Sequence, residues 1–375
     1  MTKSFKKRIL VDTVSGKVGG IKTLIKDYIY YFKIYAPDIE AVFYVTPQVY
    51  EDVKNMQDEN VSIKFLKFFS SKTYLRVLWE QLILPFILLK YDYLYSITHI
   101  FPFFTNKKGV LLIHQPNFFT DEYFKIPEIY MKLVNLSLRK ASFVIAQTEF
   151  IKKNIVQKFG IEADKIKLLP QGISSEITNY DQSKVEEAFK EKVKNLKEQK
   201  PSICAFISMY AKHKNFERLI ESLTLLDESI REKLALVLTL PEEHFDFYLK
   251  ELIDKNNLGE NVINFGVLNK NELSYLYKSL DFFISPSLLE SFGLPLIEAM
   301  HFEIPVLVSD LEYAHNVCED AAIYFNPFTQ EDIADKIKLV LSKPKSEHTQ
   351  KLSNQADKYC WKRHIKELVK LMKEI

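Results

Sequence analysis

Long apolar runs are missing from this chain. The longest, LILPFILL at 82–89, carries Pro85 and falls far short of the roughly 20 residues that span a bilayer, so no membrane-crossing helix is expected. Cysteine is scarce: Cys204, Cys318 and Cys360 are too few and too scattered for a disulfide framework or a zinc knuckle, and are expected to pack as small apolar side chains in a reducing cytosol. The start, MTKSFKKRIL, is basic but runs straight into a strand-like segment, without the apolar stretch or small-residue cleavage site of an export signal. Net charge is nearly absent at +2, which argues against a dedicated nucleic-acid binder. Glycine is rare, with nine residues in 375, so each position carries information. No Asp-x-Asp pair stands in a suitable place and Cys and His do not cluster, so neither a metal ion nor a cofactor is expected.

What is present suits an ordinary soluble globular protein, because 47% hydrophobic and 27% charged residues leave no room for a disordered chain. A length of 375 exceeds one ordinary core and points to two domains. The charge is uneven. Residues 1–172 hold 25 Lys/Arg against 16 Asp/Glu, a net +9, whereas 173–375 hold 26 against 33, a net −7. The basic half also carries the aromatic stretches KFLKFFSSKTYLRVLWEQLILPF (64–86) and ITHIFPFFTNKKG (97–109). Cations beside exposed apolar groups fit a surface resting on anionic lipid, peripheral to the inner face of the cytoplasmic membrane; a buried helix with a solvated lysine face fits equally well.

Strand-like apolar runs alternate with helix-like amphipathic ones twice over. In the first half the strands are expected at 8–12, 41–46, 61–68, 92–97, 109–114, 142–147 and 165–169, and Ile21, Leu24, Ile25, Tyr28 and Ile29 follow the spacing of a helical stripe. The polar segment 174–201 then intervenes, and strands return at 202–208, 234–240, 262–265, 281–285, 305–309 and 322–325. Such alternation predicts α/β architecture: two Rossmann-like, doubly wound parallel-sheet domains facing each other, 1–172 and 173–356, with ligands at the carboxyl ends of the strands in the cleft between them.

Three glycines, Gly16, Gly19 and Gly20, stand in VDTVSGKVGGIKTL, between the first strand and the first helix. Glycine there lets backbone approach a ligand, although a structural turn explains it as well. The spacing is not GxGxxG, and no acid ends a second strand as a dinucleotide site requires, so a dehydrogenase is not indicated. Gly172 in LLPQGIS reads as a hinge or turn. The stretch SPSLLESFGLPLIEAM (285–300) places Pro295 at a helix start, with Glu290 in the loop before it and Glu298 in the helix's opening turns. A helix dipole alone would favour Glu298. The second reading is a cradle: amides of Phe292, Gly293 and Leu294 facing an anion, with flanking carboxylates accepting hydrogen bonds from hydroxyls, as a nucleoside diphosphate sugar requires.

ESFGLPLIEAM resembles the E-x7-E signature of glycosyltransferase family 4, retaining sugar transferases of the GT-B fold. SDLEYAHNVCEDAAIYFNPFTQEDIADKIKLVL, ASFVIAQTEFIKKNI, GGIKTLIKDY and WKRHIKEL are similar to further segments of that family, the last to a closing tryptophan helix, here about 357–375, that crosses back to the first domain. Residues 47–108 show no such likeness.

The resemblance implies that Glu298 binds the nucleotide ribose and that Glu290 binds hydroxyls of the transferred sugar, while Ser291, Phe292, Gly293 and Leu294 form the donor-binding turn. Lys214, in SMYAKHKNFERLIES, matches the lysine on the diphosphate; the arginine usual five residues earlier is Met209 here, so that either Lys214 acts alone on the leaving group or Lys212 replaces the missing charge. His114 matches a histidine near the sugar, followed by Gln115 in place of the usual Asp, and Gly20 matches the glycine-rich loop near the phosphates. The implied activity is a retaining, metal-independent transfer from a nucleotide sugar to a glycan or lipid-linked acceptor, in cell-envelope polysaccharide, glycolipid or lipopolysaccharide biosynthesis. Two rival readings are a GT-B nucleotide-sugar epimerase and a non-catalytic glycosyltransferase-like subunit.

Overall fold

A computed structural model describes residues 7–16, 20–67, 72–349 and 351–375. Gly19 of the glycine turn and residues 68–71 of the first aromatic stretch lie outside the described residues. The chain divides into two compact units: Met1–Ser174 with Cys360–Ile375, and Ser175–Tyr359.

The first unit holds a parallel sheet of β1 (Lys7–Asp12), β2 (Ile39–Val45), β3 (Val61–Phe65), β4 (Tyr93–Ser96), β5 (Lys108–Ile113), β6 (Phe143–Ala146) and β7 (Ile166–Leu168), in the order β3-β2-β1-β4-β5-β6-β7. The second holds β8 (Ser202–Phe206), β9 (Leu234–Leu238), β10 (Val262–Asn264), β11 (Phe282–Ser285), β12 (Val306–Ser309) and β13 (Ile323–Phe325), in the order β10-β9-β8-β11-β12-β13. Each expected strand occurs, and both units have the doubly wound α/β architecture. Order reverses at one place in each sheet, between β1 and β4 and between β8 and β11.

Side chains of successive strand residues enter opposite faces, so each strand of a doubly covered sheet needs an unbroken apolar run. In β1, Ile9 and Val11 join the core beneath the helix Gly20–Tyr35, while Leu10 joins the core on the other face with Val42, Leu94 and Leu111. From the helix, Leu24, Ile25, Tyr28, Ile29 and Phe32 are buried as the spacing predicts, and Ile21 is only partly covered. Among the described residues no helix is long and apolar enough to cross a membrane.

The last helix, Trp361–Glu374, packs on Gly20–Tyr35 within the first unit, as the tryptophan segment implied. Trp361 stacks on Tyr31 with ring centroids 5.3 Å apart, and Ile365, Leu368 and Met372 fill the core below, each burial contributing roughly 1.5–3 kcal/mol. Gly172 is a point of close approach: a Cβ there would stand 2.5 Å from the Trp361 indole, which explains the glycine without a hinge.

A buried polar chain fixes the helix's position. His364 Nδ1 lies 3.0 Å from the Pro170 carbonyl, which only accepts, so Nδ1 carries the proton. Burial pulls the imidazole pKa down to about 4, so the ring is neutral and Nε2 is bare. Nε2 then accepts from the Tyr28 hydroxyl at 2.7 Å, whose oxygen accepts from Tyr95 at 2.5 Å. Because the unfolded imidazole takes up a proton near about 6.5 and the folded one only near 4, stability is complete above that range and falls as pH drops through it. We expect His364→Phe to lower the urea midpoint at about pH 7.5, because Tyr28 and Pro170 lose a partner. The same variant should shrink the loss of stability between about pH 7.5 and about pH 5 by about 2 kcal/mol, followed by circular dichroism.

Candidate functional site

Switch points of doubly wound sheets leave a crevice at the strands' carboxyl ends, where no crossover helix covers them. In the second unit that crevice lies beyond β8 and β11. The chain leaving β8 makes a single helical turn at Lys212–Lys214; the chain leaving β11 makes the loop 286–293 and enters the helix Leu294–His301. Lys214 Nζ meets Glu290 Oε1 at 2.5 Å, with the two side chains 17% and 19% exposed. A cation and a carboxylate predicted from separate motifs, 76 positions apart, are therefore in contact.

The two loops are braced to each other. Leu288 donates its backbone N–H to the His213 carbonyl at 2.7 Å, and buried Asn215 donates from Nδ2 to the carbonyls of Pro286 at 3.2 Å and Pro327 at 2.9 Å. The Tyr313 hydroxyl donates to the Ser287 carbonyl at 2.8 Å. Burial, with the neighbouring Lys214 charge, lowers the His213 pKa to about 4, so this ring stays neutral beside the ammonium. Sequence reasoning passed over His213 and Asn215. An asparagine at φ +60 directly before a helix leaves only a weak signal in the sequence.

Gly293 caps the helix Leu294–His301 at φ +79, with Pro295 inside its first turn. Phe292 is buried against Tyr359 with ring centroids 5.3 Å apart, Ser291 is half-buried, and Leu294 begins the helix. Glu298 is the fifth helical residue and no acid occupies the first turn, so the dipole explanation of Glu298 fails. Its carboxylate is 2% exposed; it accepts from the Tyr277 hydroxyl at 3.0 Å and lies 3.6 Å from Lys270 Nζ. Lys270 opens the helix Lys270–Ser279, which an Asn269–Glu272 capping box starts. That box is legible as N-x-x-E; the contact with Glu298 is not. Lys212 is exposed on the same turn as Lys214, and Met209 is 52% exposed in the loop before it.

His114 and Gly20 belong to the first unit. His114 follows β5, and its Nδ1 lies 3.2 Å from Nε2 of His99, a residue at φ +70 just beyond β4. Burial takes the His114 pKa to about 4 and that of His99 lower than its usual range, so the pair is neutral and one ring donates to the other. Gly20 opens the helix Gly20–Tyr35 at an exposed position where a Cβ would meet nothing within 4 Å, so packing does not demand glycine there. Among the described residues no group of three His, Cys, Asp or Glu side chains could hold a metal ion.

Residues 187–359 match the family model described as Glycosyl transferases group 1, a segment that contains both Lys214 and Glu290. The chain is 23% identical over 249 residues to the O-antigen chain mannosyltransferase RfbU of Salmonella typhimurium, covering 66% of this chain and 64% of that protein. It thus spans less than two thirds of the length of the curated relatives named first by similarity. Among solved structures, a glycosyltransferase from Rickettsia africae superposes with a TM-score of 0.76 at 18% identity, over 98% of each chain. Anabaena HepE in complex with UDP-glucose superposes with 0.75 at 18% identity, over 98% of this chain and 100% of that one. Both likenesses establish the two-domain fold.

A Cβ on Gly293 would lie 2.8 Å from Leu296 Cδ1, in a conformation that costs other residues about 1–2 kcal/mol. Gly293→Ala should therefore lower the melting temperature of the protein, while an exposed control, Gly259→Ala, where a Cβ meets nothing, should not.

Proposed function

We propose that the protein is a glycosyltransferase that moves a sugar, with retention and without a metal ion, from a nucleoside diphosphate sugar to an acceptor hydroxyl. The single observation that carries the reading is the Lys214–Glu290 contact at the switch point of the second unit. The group 1 match across 187–359, the mannosyltransferase relative and the UDP-glucose held by the Anabaena protein support it.

In this reading Lys214 is the counter-charge for the departing diphosphate, a role worth several kcal/mol where water is excluded. The backbone of Gly293 and Leu294, at the start of a helix, adds partial positive charge. Glu290 accepts hydrogen bonds from sugar hydroxyls, and Glu298, held by Tyr277 and Lys270, accepts from the ribose. The bond from the anomeric carbon to the diphosphate breaks, the acceptor oxygen bonds to that carbon on the same face, and the acceptor's proton passes to the leaving phosphate. His114, kept neutral beside His99, and Gly20 are the residues of the first unit that this reading assigns to the donor's sugar and phosphates. Either Lys214 acts alone on the leaving group, or Lys212, exposed on the same turn, supplies the cation that Met209 does not. The acceptor is a glycan or lipid-linked sugar of a cell-envelope polysaccharide, and the protein works from the cytoplasmic face of a membrane as a peripheral protein.

A thermal-shift screen with UDP, GDP, ADP and their sugars should find one nucleotide that raises the melting temperature in step with the logarithm of its concentration. With that donor, Lys214→Ala should lower kcat about 10²–10³-fold, Glu290→Gln should weaken affinity for the sugar donor more than for the free nucleotide, and EDTA should leave the rate unchanged. Epimer formation from donor alone would assign the protein to the epimerases. No turnover by the parent protein with any donor, together with unchanged nucleotide affinity in Lys214→Ala, would mark a non-catalytic subunit.

A further inference from the structure

Residues 73–90 of the first unit form one continuous helical run: Thr73–Leu78, a π turn at Trp79–Ile83, Leu84–Ile87 and a final 3-10 turn at Leu88–Lys90. The π turn has a local cause. Pro85 lacks an N–H and its ring would collide with the carbonyl four residues back, so the chain widens just before it, and Leu84 bonds to the Trp79 carbonyl five positions earlier.

The inward face of this run, Trp79, Leu84 and Leu88, is buried in the core of the sheet's second face. The outward face is apolar as well. Tyr74 is 59% exposed, Leu78 48%, Leu82 56%, Phe86 73% and Leu89 71%, at intervals of four, four, four and three residues, which draw a single line along the helix. A helix apolar on both faces belongs within a protein or against lipid, and isolated exposed apolar residues do not line up in this way.

Within this stretch of sequence the exposed charge has one sign. Residues 61–90 contain Lys64, Lys67, Lys72, Arg76 and Lys90 against one acid, Glu80, which is turned inward and fully buried. Lys64, Lys67, Lys72 and Lys90 are exposed. Lys64 and Lys90 also line a cavity of about 270 Å3, together with Tyr44, Tyr91, Ile83 and Phe86. Two ammonium groups over apolar and phenolic walls suit a phosphate that carries a hydrocarbon chain.

We propose that this face rests on an anionic phospholipid bilayer, with Leu78, Leu82, Phe86 and Leu89 in the interfacial layer and Lys64 and Lys90 on lipid phosphates. The charge pattern selects this occupant: a second copy of the chain would bring two rings of lysines together, whereas an anionic surface neutralises each lysine by on the order of 1 kcal/mol. The inference deepens the peripheral-membrane part of the proposed function and is independent of sugar transfer; its test contains no donor, so a failure of lipid binding and a failure of transfer are told apart.

The full chain is sedimented with vesicles of phosphatidylcholine, or of phosphatidylcholine mixed with phosphatidylglycerol, at low and high salt. Binding is expected only to the mixed vesicles and should weaken as salt rises. Phe86→Ser together with Leu89→Ser should weaken it about tenfold or more, and Lys64→Gln together with Lys90→Gln about tenfold with a flatter salt dependence. Phe86→Trp keeps an aromatic at the site and should show a blue shift of tryptophan emission with mixed vesicles beyond any shift of the parent protein. Equal recovery in the supernatant with both vesicle types would overturn the proposal, as would an unshifted Phe86→Trp emission. A dimer in sedimentation equilibrium that Phe86→Ser dissociates would give the face to a second copy and overturn it too.

Discussion

All strand pairs in both sheets run parallel, and the rest of the molecule follows from that constraint. A parallel pair cannot be closed by a tight hairpin, so every return must cross the sheet as a helix or long loop, and every loop that leaves a strand's carboxyl end emerges on the same edge. Where the order reverses, the crossovers depart to opposite sides and the edge is left open. In the second unit the loops from β8 and β11 meet at this opening, bringing Lys214 and Glu290 into contact although neither belongs to regular sheet structure. Asn215, bridging the carbonyls of Pro286 and Pro327, turns this proximity into fixed geometry.

The contact has an energetic meaning of its own. Both side chains are about one-fifth exposed, so each has lost part of its hydration and each depends on the other for compensation. Under the proposed function, a diphosphate beside Lys214 would bring more negative charge than Glu290 supplies and meet an ammonium already partly desolvated and held, while Glu290, released from part of its pairing, would accept from sugar hydroxyls.

The strands were legible because burial on both faces demands short unbroken apolar runs such as LALVL in β9, bounded by Lys233 and Thr239. The loop 286–293 and its helix were legible because Gly293, with Pro295 two residues on, punctuates the chain. What the sequence concealed are partners without periodicity. Tyr28, His364 and Pro170 come from three distant segments, and nothing in WKRHIKEL marks His364 as a neutral, buried ring rather than a surface one. Lys270 beside Glu298, and His99 beside His114, are likewise contacts between loops or helix starts whose spacing carries no signal. Glu298 itself was assigned to a helix start by pattern, but only the fold shows that it sits beyond the first turn and owes its position to Tyr277.

The run 73–90 departs from the usual pattern of a helix by carrying a buried carboxyl, Glu80, within the unit and an apolar line on its outer face. Glu80 lies wholly within the unit with its Oε1 3.5 Å from Arg76 Nε, and Asp12 at the end of β1 is buried nearby. Burial pushes both carboxyls upward from their ordinary range, and the Arg76 guanidinium opposes that shift without cancelling it. Two acids around one cation satisfy the low-dielectric interior only when one of them keeps its proton. Turning the helix to hide Phe86 and Leu89 would free Glu80 but bring Trp79, Leu84 and Leu88 to water, so the inward apolar face fixes the orientation and leaves the outward line uncovered. A surface that covered the line would add roughly 1.5–3 kcal/mol for each side chain it buries, a gain that folding alone leaves unrealised.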